Sequence, residues 1–132
     1  MAKLDDTLGH VSLNEMKKWW WDLERKEDGG YKDKVNPDLR IVLMDPFVLP
    51  TGPLKNPQAY ESRRALTDEM RVVVAKLAKD YGAVHIKTQD IFDAAAKASS
   101  PENWIWDGIH PLPAGHELIA RHWLQAVSTG WR

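Results

Sequence analysis

The chain predicts a single α/β domain over residues 1–132, a parallel sheet of two to three strands flanked by helices. Three observations carry that expectation. Two short apolar runs rich in β-branched residues, Leu39 to Met44 and Ala83 to Lys87, are bounded by turn-forming residues. Around them lie longer stretches with apolar residues at helical spacing. The order is helix, strand, helix, strand, helix, helix, and such alternation favours parallel strands joined by right-handed crossovers.

The first helix is expected over 13–27. Ser12 and Glu15 stand as a capping box, and Leu13, Met16, Trp20 and Leu23 share one face, with Gly29 and Gly30 ending it. The run 39–44, set between Asn36-Pro37 and Asp45-Pro46, reads as a buried strand. Residues 48–57 hold three prolines and Gly52, the composition of a loop over the surface. A second long helix follows. Thr67 is a candidate cap, although the pattern can begin near Gln58, and Met70, Val73, Val74, Leu77, Ala78 and Tyr81 form its stripe before Gly82. After the strand at 83–87 come a short helix from Gln89 to Lys97 and a break at Ser99-Ser100-Pro101. A final helix from Pro113 presents Leu118, Ile119, Trp123, Ala126 and Val127 and stops near Gly130. Ala2 to Asp5 are a candidate remnant of a third strand.

Composition excludes several function classes. A net charge of −1 offers no basic surplus for nucleic acid. The absence of Cys removes disulfides, thiolate metal sites and cysteine nucleophiles. No apolar run reaches membrane-spanning length and the first residues lack a signal-peptide core, so the expected compartment is cytoplasmic, with no membrane partner. Three of the seven tryptophans are consecutive, Trp19, Trp20 and Trp21. On a helix they fan over about 200°, so one apolar face cannot hide them all. The outer ones either lie under loops or enter a subunit contact.

The chemistry concentrates at 104–120. A histidine that takes a proton from a nucleophile needs one ring nitrogen free and the other held by a carboxylate, which fixes the tautomer. Asp107 and His110 can meet this need within one turn, because Gly108 permits a tight backbone and Pro111 holds His110 extended. A bare D-x-x-H is more often a turn cap beside a surface histidine.

The wider pattern, W-x-x-D-G-I-H-P-x-P-x-G-H-x-x-I-A from Trp104 to Ala120, resembles the last sequence block of the SGNH (GDSL-type) hydrolases. LRIVLMDPFVLPTG (39–52) resembles that family's fourth strand and its loop, and YGAVHIKTQDIFDAAA (81–96) its fifth strand and following helix. The resemblance implies a flavodoxin-like sheet, carboxylic ester hydrolysis without a cofactor, and Asp107 and His110 as two members of a Ser-His-Asp triad. The family's G-D-S nucleophile block and its glycine block are not found. Its G-x-N-D block would fall on Lys3 to Asp6, where Asp5 replaces an asparagine donor with a carboxylate that cannot donate to an oxyanion. The chain thus reads as the C-terminal portion of such an enzyme.

Five serines could replace the nucleophile. Ser12 reads as a cap, and Ser62 and Ser128 as helix-surface residues. Ser99 and Ser100 lie closest to the motif in sequence, in a stretch that also reads as a plain turn. Three possibilities stay open: a substitute serine, water activated by the Asp107–His110 pair, or a chain silent on its own that serves assembly or partner binding. A separate chain could also supply the lost blocks. Trp104 and Trp106 flank the motif, either as packing or as walls for a small ester. His116 with Asp107 and His110 could be imagined as a metal set, but ligand spacing is lacking and no metal is expected. His85 and His122 read as packed or half-exposed. In the order 2-1-3-4-5, losing strands 1 and 2 leaves strand 3 unpaired, an edge suited to a homodimer or higher homo-oligomer.

Overall fold

The computed structural model describes residues 40–130. The expected helix over 13–27, the Ser12 cap, Lys3 to Asp6, the possible third strand and Trp19 to Trp21 lie outside them. Element order is β1 (Val42–Met44), a 3-10 turn (Gly52–Lys55), α1 (Pro57–Asp80), β2 (Val84–Ile86), α2 (Thr88–Ala98), a second 3-10 turn (Pro101–Asn103) and α3 (Pro113–Gly130). The fold is α/β. β1 and β2 run parallel, with Val42 opposite Val84, Leu43 opposite His85 and Met44 opposite Ile86. The Val84 amide donates to the Ile41 carbonyl and that of Asp45 to Ile86, each at 2.9 Å, extending the ladder at both ends. Among the described residues, no helix is long and apolar enough to cross a membrane.

Three expectations need correction. β1 is half-buried rather than buried, with Met44 37% exposed; among the described residues it pairs on one side only. Thr67 does not cap α1. The cap is Asn56, whose Oδ1 accepts from the Ala59 amide at 3.1 Å, with Pro57 placed where its missing N–H costs nothing. Thr67 lies buried mid-helix and donates its hydroxyl to the Arg63 carbonyl at 2.9 Å.

The third correction matters most. Residues 48–57 do not simply run over the surface: Val48, Leu49 and Thr51 are exposed by 2% or less. A buried loop needs partners for its peptide groups. Here the Gln89 side chain supplies them, Oε1 accepting from the Val48 amide at 2.8 Å and Nε2 donating to the Val48 carbonyl at 3.0 Å.

The core is Leu49, Phe92 and Ile105, edged by Phe47, Ala96, Trp104, Leu118 and Ile119. Phe47 and Phe92 meet with ring centroids 4.6 Å apart, tilted by 39°, within the range where aromatic pairs attract. Leu49 comes from the loop after β1, Phe92 from α2 and Ile105 from the loop before α3, so one apolar contact gathers three distant segments. Phe92 is completely enclosed. Phe92→Ala is expected to cost about 3–5 kcal/mol, read as a lowered urea midpoint, and a loss under 1 kcal/mol in that unfolding curve would show that this cluster is not the core.

Candidate active site

The segment 104–112 folds back on itself. Ile105 and Pro111 form an antiparallel bridge, the Leu112 amide donates to the Trp104 carbonyl at 2.8 Å, and Trp106 donates to the His110 carbonyl at 3.3 Å. Ile105 pins the hairpin into the core. The first turn of α3 lies flush against it, since a Cβ added at Gly115 would sit 2.4 Å from the Trp104 carbonyl oxygen.

At the tip, the two oxygens of Asp107 divide the work. Oδ1 accepts from the amides of Ile109 (3.1 Å) and His110 (2.8 Å), which closes the turn. Oδ2 lies 2.5 Å from His110 Nδ1. One side chain therefore closes the turn and also lies against the His110 ring. Burial pushes Asp107 upward, but the hydrogen bonds from the His110 ring and from the His110 and Ile109 amides outweigh it and hold the carboxyl below its ordinary range. An ionised carboxylate only accepts, so in the neutral ring Nδ1 carries the proton and Nε2 keeps its lone pair. The Asp107 side chain is 17% exposed and that of His110 65%. The acid is sheltered and the base is open.

A second loop holds this tip from behind. The Leu49 amide donates to the Gly108 carbonyl at 3.0 Å. Gly52, at φ +53°, leaves no room for a side chain, because a Cβ would meet the Asp107 Cα at 2.7 Å and the Trp106 carbonyl oxygen at 2.9 Å. Gly108, at φ +98°, faces Leu54 in the same way, with Cδ1 2.5 Å from an added Cβ. Both glycines are set by positive φ and close approach together.

No family model matches the chain. An acetylxylan esterase of Geobacillus stearothermophilus is 31% identical over 118 residues, covering 80% of this chain and 51% of that protein. Among solved structures, a GDSL-like lipase from Parabacteroides merdae superposes with a TM-score of 0.63 at 28% identity, over 87% of this chain and 47% of its own. The G. stearothermophilus acetylxylan esterase superposes with a TM-score of 0.64 at 26% identity, over 93% and 52%. These likenesses support the SGNH (GDSL-type) hydrolase family for this chain. It spans about half the length of the relatives it matches.

Within this SGNH frame the other expected site residues separate. Ser100 donates its hydroxyl to Glu102, and Ser99 accepts from Asn103 Nδ2 at 2.5 Å. Among the described residues, no hydrogen bond joins either serine to His110. Hydrogen bonds from Ser100 and then Lys55 pull Glu102 down to about 2, so it stays an acceptor for Ser100. Ser62 is exposed on α1, and Ser128 lies on α3 with its hydroxyl donating to the Gln125 carbonyl at 3.0 Å. Trp106, 60% exposed, stacks on His110 with centroids 6.2 Å apart and an interplanar angle of 23°. Trp104 instead packs on the core, its indole nitrogen buried without a hydrogen-bond partner among the described residues. His116 is exposed in the first turn of α3, and its amide bonds the Leu112 carbonyl at 3.0 Å.

A second imidazole–carboxylate pair lies apart from the motif. His85 Nε2 is 2.6 Å from Oδ1 of Asp45, whose side chain is 2% exposed, and Arg71 Nε reaches Oδ2 at 3.1 Å. Arg71 also contacts Asp68 and Asp90. This is a clamp of α1 on the sheet, consistent with His85 as a packed residue.

Gln89 and Gly52 were not singled out as site residues. In sequence, the one resembles any first-turn polar residue and the other any loop glycine.

Because the Asp107 carboxyl is lowered on folding, it stabilises the fold above the ordinary aspartate range, and that contribution vanishes as pH falls through the lowered value. The stability gap between the parent and Asp107→Asn should persist from neutrality down to the ordinary aspartate range and close only below it. A gap already closed at the ordinary aspartate value, or an Asp107 carboxyl carbon titrating there by NMR, would contradict the assignment.

Proposed function

We propose that the chain is a carboxylic ester hydrolase of the SGNH type acting on small esters, with Asp107 orienting His110 and His110 working as general base and then acid. One observation carries the reading: Asp107 holds Nδ1 at 2.5 Å while Nε2 belongs to an exposed ring. Likeness to relatives that include an acetylxylan esterase supports the choice of ester over other acyl substrates. His110 Nε2 would take the proton of the attacking oxygen as it adds to the ester carbonyl, then return it to the departing alkoxide. Asp107 would stay ionised throughout and stabilise the imidazolium. Trp106, stacked beside the ring, would line the approach of the leaving group.

The attacking oxygen is assigned to water. Ser100 and Ser99 are engaged with Glu102 and Asn103. A water nucleophile with few oxyanion donors makes for slow turnover, several orders of magnitude below a complete triad. The competing reading, a silent assembly module, predicts no ester turnover above buffer.

A short-chain aryl ester separates them. His110→Ala should lose about 10²-fold or more, the usual share of a general base. Asp107→Asn should fall by a similar factor, whereas Ser99→Ala and Ser100→Ala should stay within about twofold of the parent. Parent activity equal to buffer, or unaffected by His110→Ala, ends the enzyme reading, and loss with Ser100→Ala alone restores the serine.

The proposal includes self-association. Met44 at the end of β1 is 37% exposed, and in a parallel ladder with β2 the peptide groups of Val42 and Met44 face the strand's second edge. Sedimentation at micromolar concentration should give a dimer or larger species, while one sharp monomer boundary removes this part.

A further inference from the structure

Gln89 lies in the first turn of α2 and is completely buried, yet its amide is not spent on its own helix alone. It grips one residue of the loop before α1 on both sides. Oε1 accepts from the Val48 amide at 2.8 Å, and Nε2 donates to the Val48 carbonyl at 3.0 Å. The second hydrogen of Nε2 goes to Asp93 Oδ1 at 2.9 Å. Asp93 can only accept, which fixes the amide's orientation: the nitrogen must face Asp93, so the oxygen must face the Val48 amide. Asp93 is itself held by Arg64 of α1 in a two-pronged pair at 2.9 and 2.8 Å.

The next residue along the gripped loop is Leu49. Its amide donates to the Gly108 carbonyl at 3.0 Å, and Gly108 is joined directly to Asp107. Three residues later, Gly52 presses on the Asp107 Cα with no space for a side chain. Displacing Val48 therefore displaces both surfaces against which the Asp107 turn is set.

We infer that Gln89 is a positioning residue for the Asp107–His110 pair, holding the loop 48–52 in the one place where Leu49 and Gly52 fix Asp107 beneath the imidazole. Arg64 and Asp93 belong to the same device, because they orient the amide. The inference rests on the reading of that pair as the working centre, but its consequence is structural and can be measured without turnover.

The readout is the tautomer of His110, seen in long-range proton–nitrogen NMR spectra of the intact chain. In the parent, Nδ1 should carry the proton. Gln89→Met keeps the length of the side chain and removes its hydrogen bonds, and should lower the Nδ1–H fraction of neutral His110 at least about twofold. Ala78→Gly, which weakens α1 at a buried site with no bond to this relay, serves as the control and should leave that fraction at the parent value. An unchanged tautomer in Gln89→Met overturns the proposal, as does an equal shift in Ala78→Gly. If Gln89→Met does not fold, Asp93→Ala carries the test, since that side chain is 30% exposed and its loss frees the Gln89 amide. The Nδ1–H fraction should again fall, and no change overturns the proposal. A chain that hydrolyses no ester yet shows the shift would sink the hydrolase reading and leave this one standing.

Discussion

Leu49, Phe92 and Ile105 are each sealed to 1% exposure or less, and two of the three sit in irregular segments. Their mutual contact is the constraint that the rest of the structure obeys. Each full burial contributes about 1.5–3 kcal/mol, enough together to hold loops that would otherwise wander. Once Leu49 and Ile105 share a core, the loop after β1 and the hairpin before α3 must lie side by side. Gly52 against Asp107 and Leu54 against Gly108 are consequences of that adjacency. Here the core and the candidate site are one piece of packing seen from two sides.

That arrangement explains what could and could not be read from the chain. Helix α3 begins at Pro113, β2 falls inside 83–87 and α2 within one residue of its expected ends, because apolar period and turn chemistry are local signals. The Asp107–His110 pair was equally legible, since three residues and two flanking prolines confine it. The burial of 48–51 was not. Three prolines and a glycine describe a loop correctly but say nothing about its depth, which is decided by Gln89, 41 positions from Val48. Thr67 misled for a related reason. A hydroxyl before an apolar stripe is a good cap signal, yet Asn56, followed by Pro57, offered a better one eleven residues earlier, and the buried helix interior could satisfy Thr67 through the Arg63 carbonyl.

The two imidazole–carboxylate pairs show why a pairing alone is not a site. Asp45 and His85 are as close as Asp107 and His110, 2.6 against 2.5 Å. In the first pair the acid also carries Arg71, the ring is only 18% exposed, and everything around it is engaged in binding α1 to the sheet. In the second the acid spends its remaining oxygen on the turn, and the ring stands 65% exposed beside an open indole. Proton transfer needs a base that a substrate can reach, and of the two rings His110 is by far the more exposed.

The proposal of water as the nucleophile rests on the same accounting of hydrogen bonds. For Ser100 to attack, its proton must go to His110, yet that proton is already directed at Glu102. Hydrogen bonds from Ser100 and Lys55 hold the Glu102 carboxyl down to about 2, so it is an acceptor at any pH where an imidazole is a base. Ser99 is tied to Asn103 in the same 3-10 turn. Recruiting either serine means breaking a satisfied contact and moving a segment whose neighbour, Ile105, is locked in the core. Water requires no rearrangement. The exposed face of His110 is open to it, so the proposed water nucleophile carries the smallest structural cost and, lacking a fixed position, would also be a slow one.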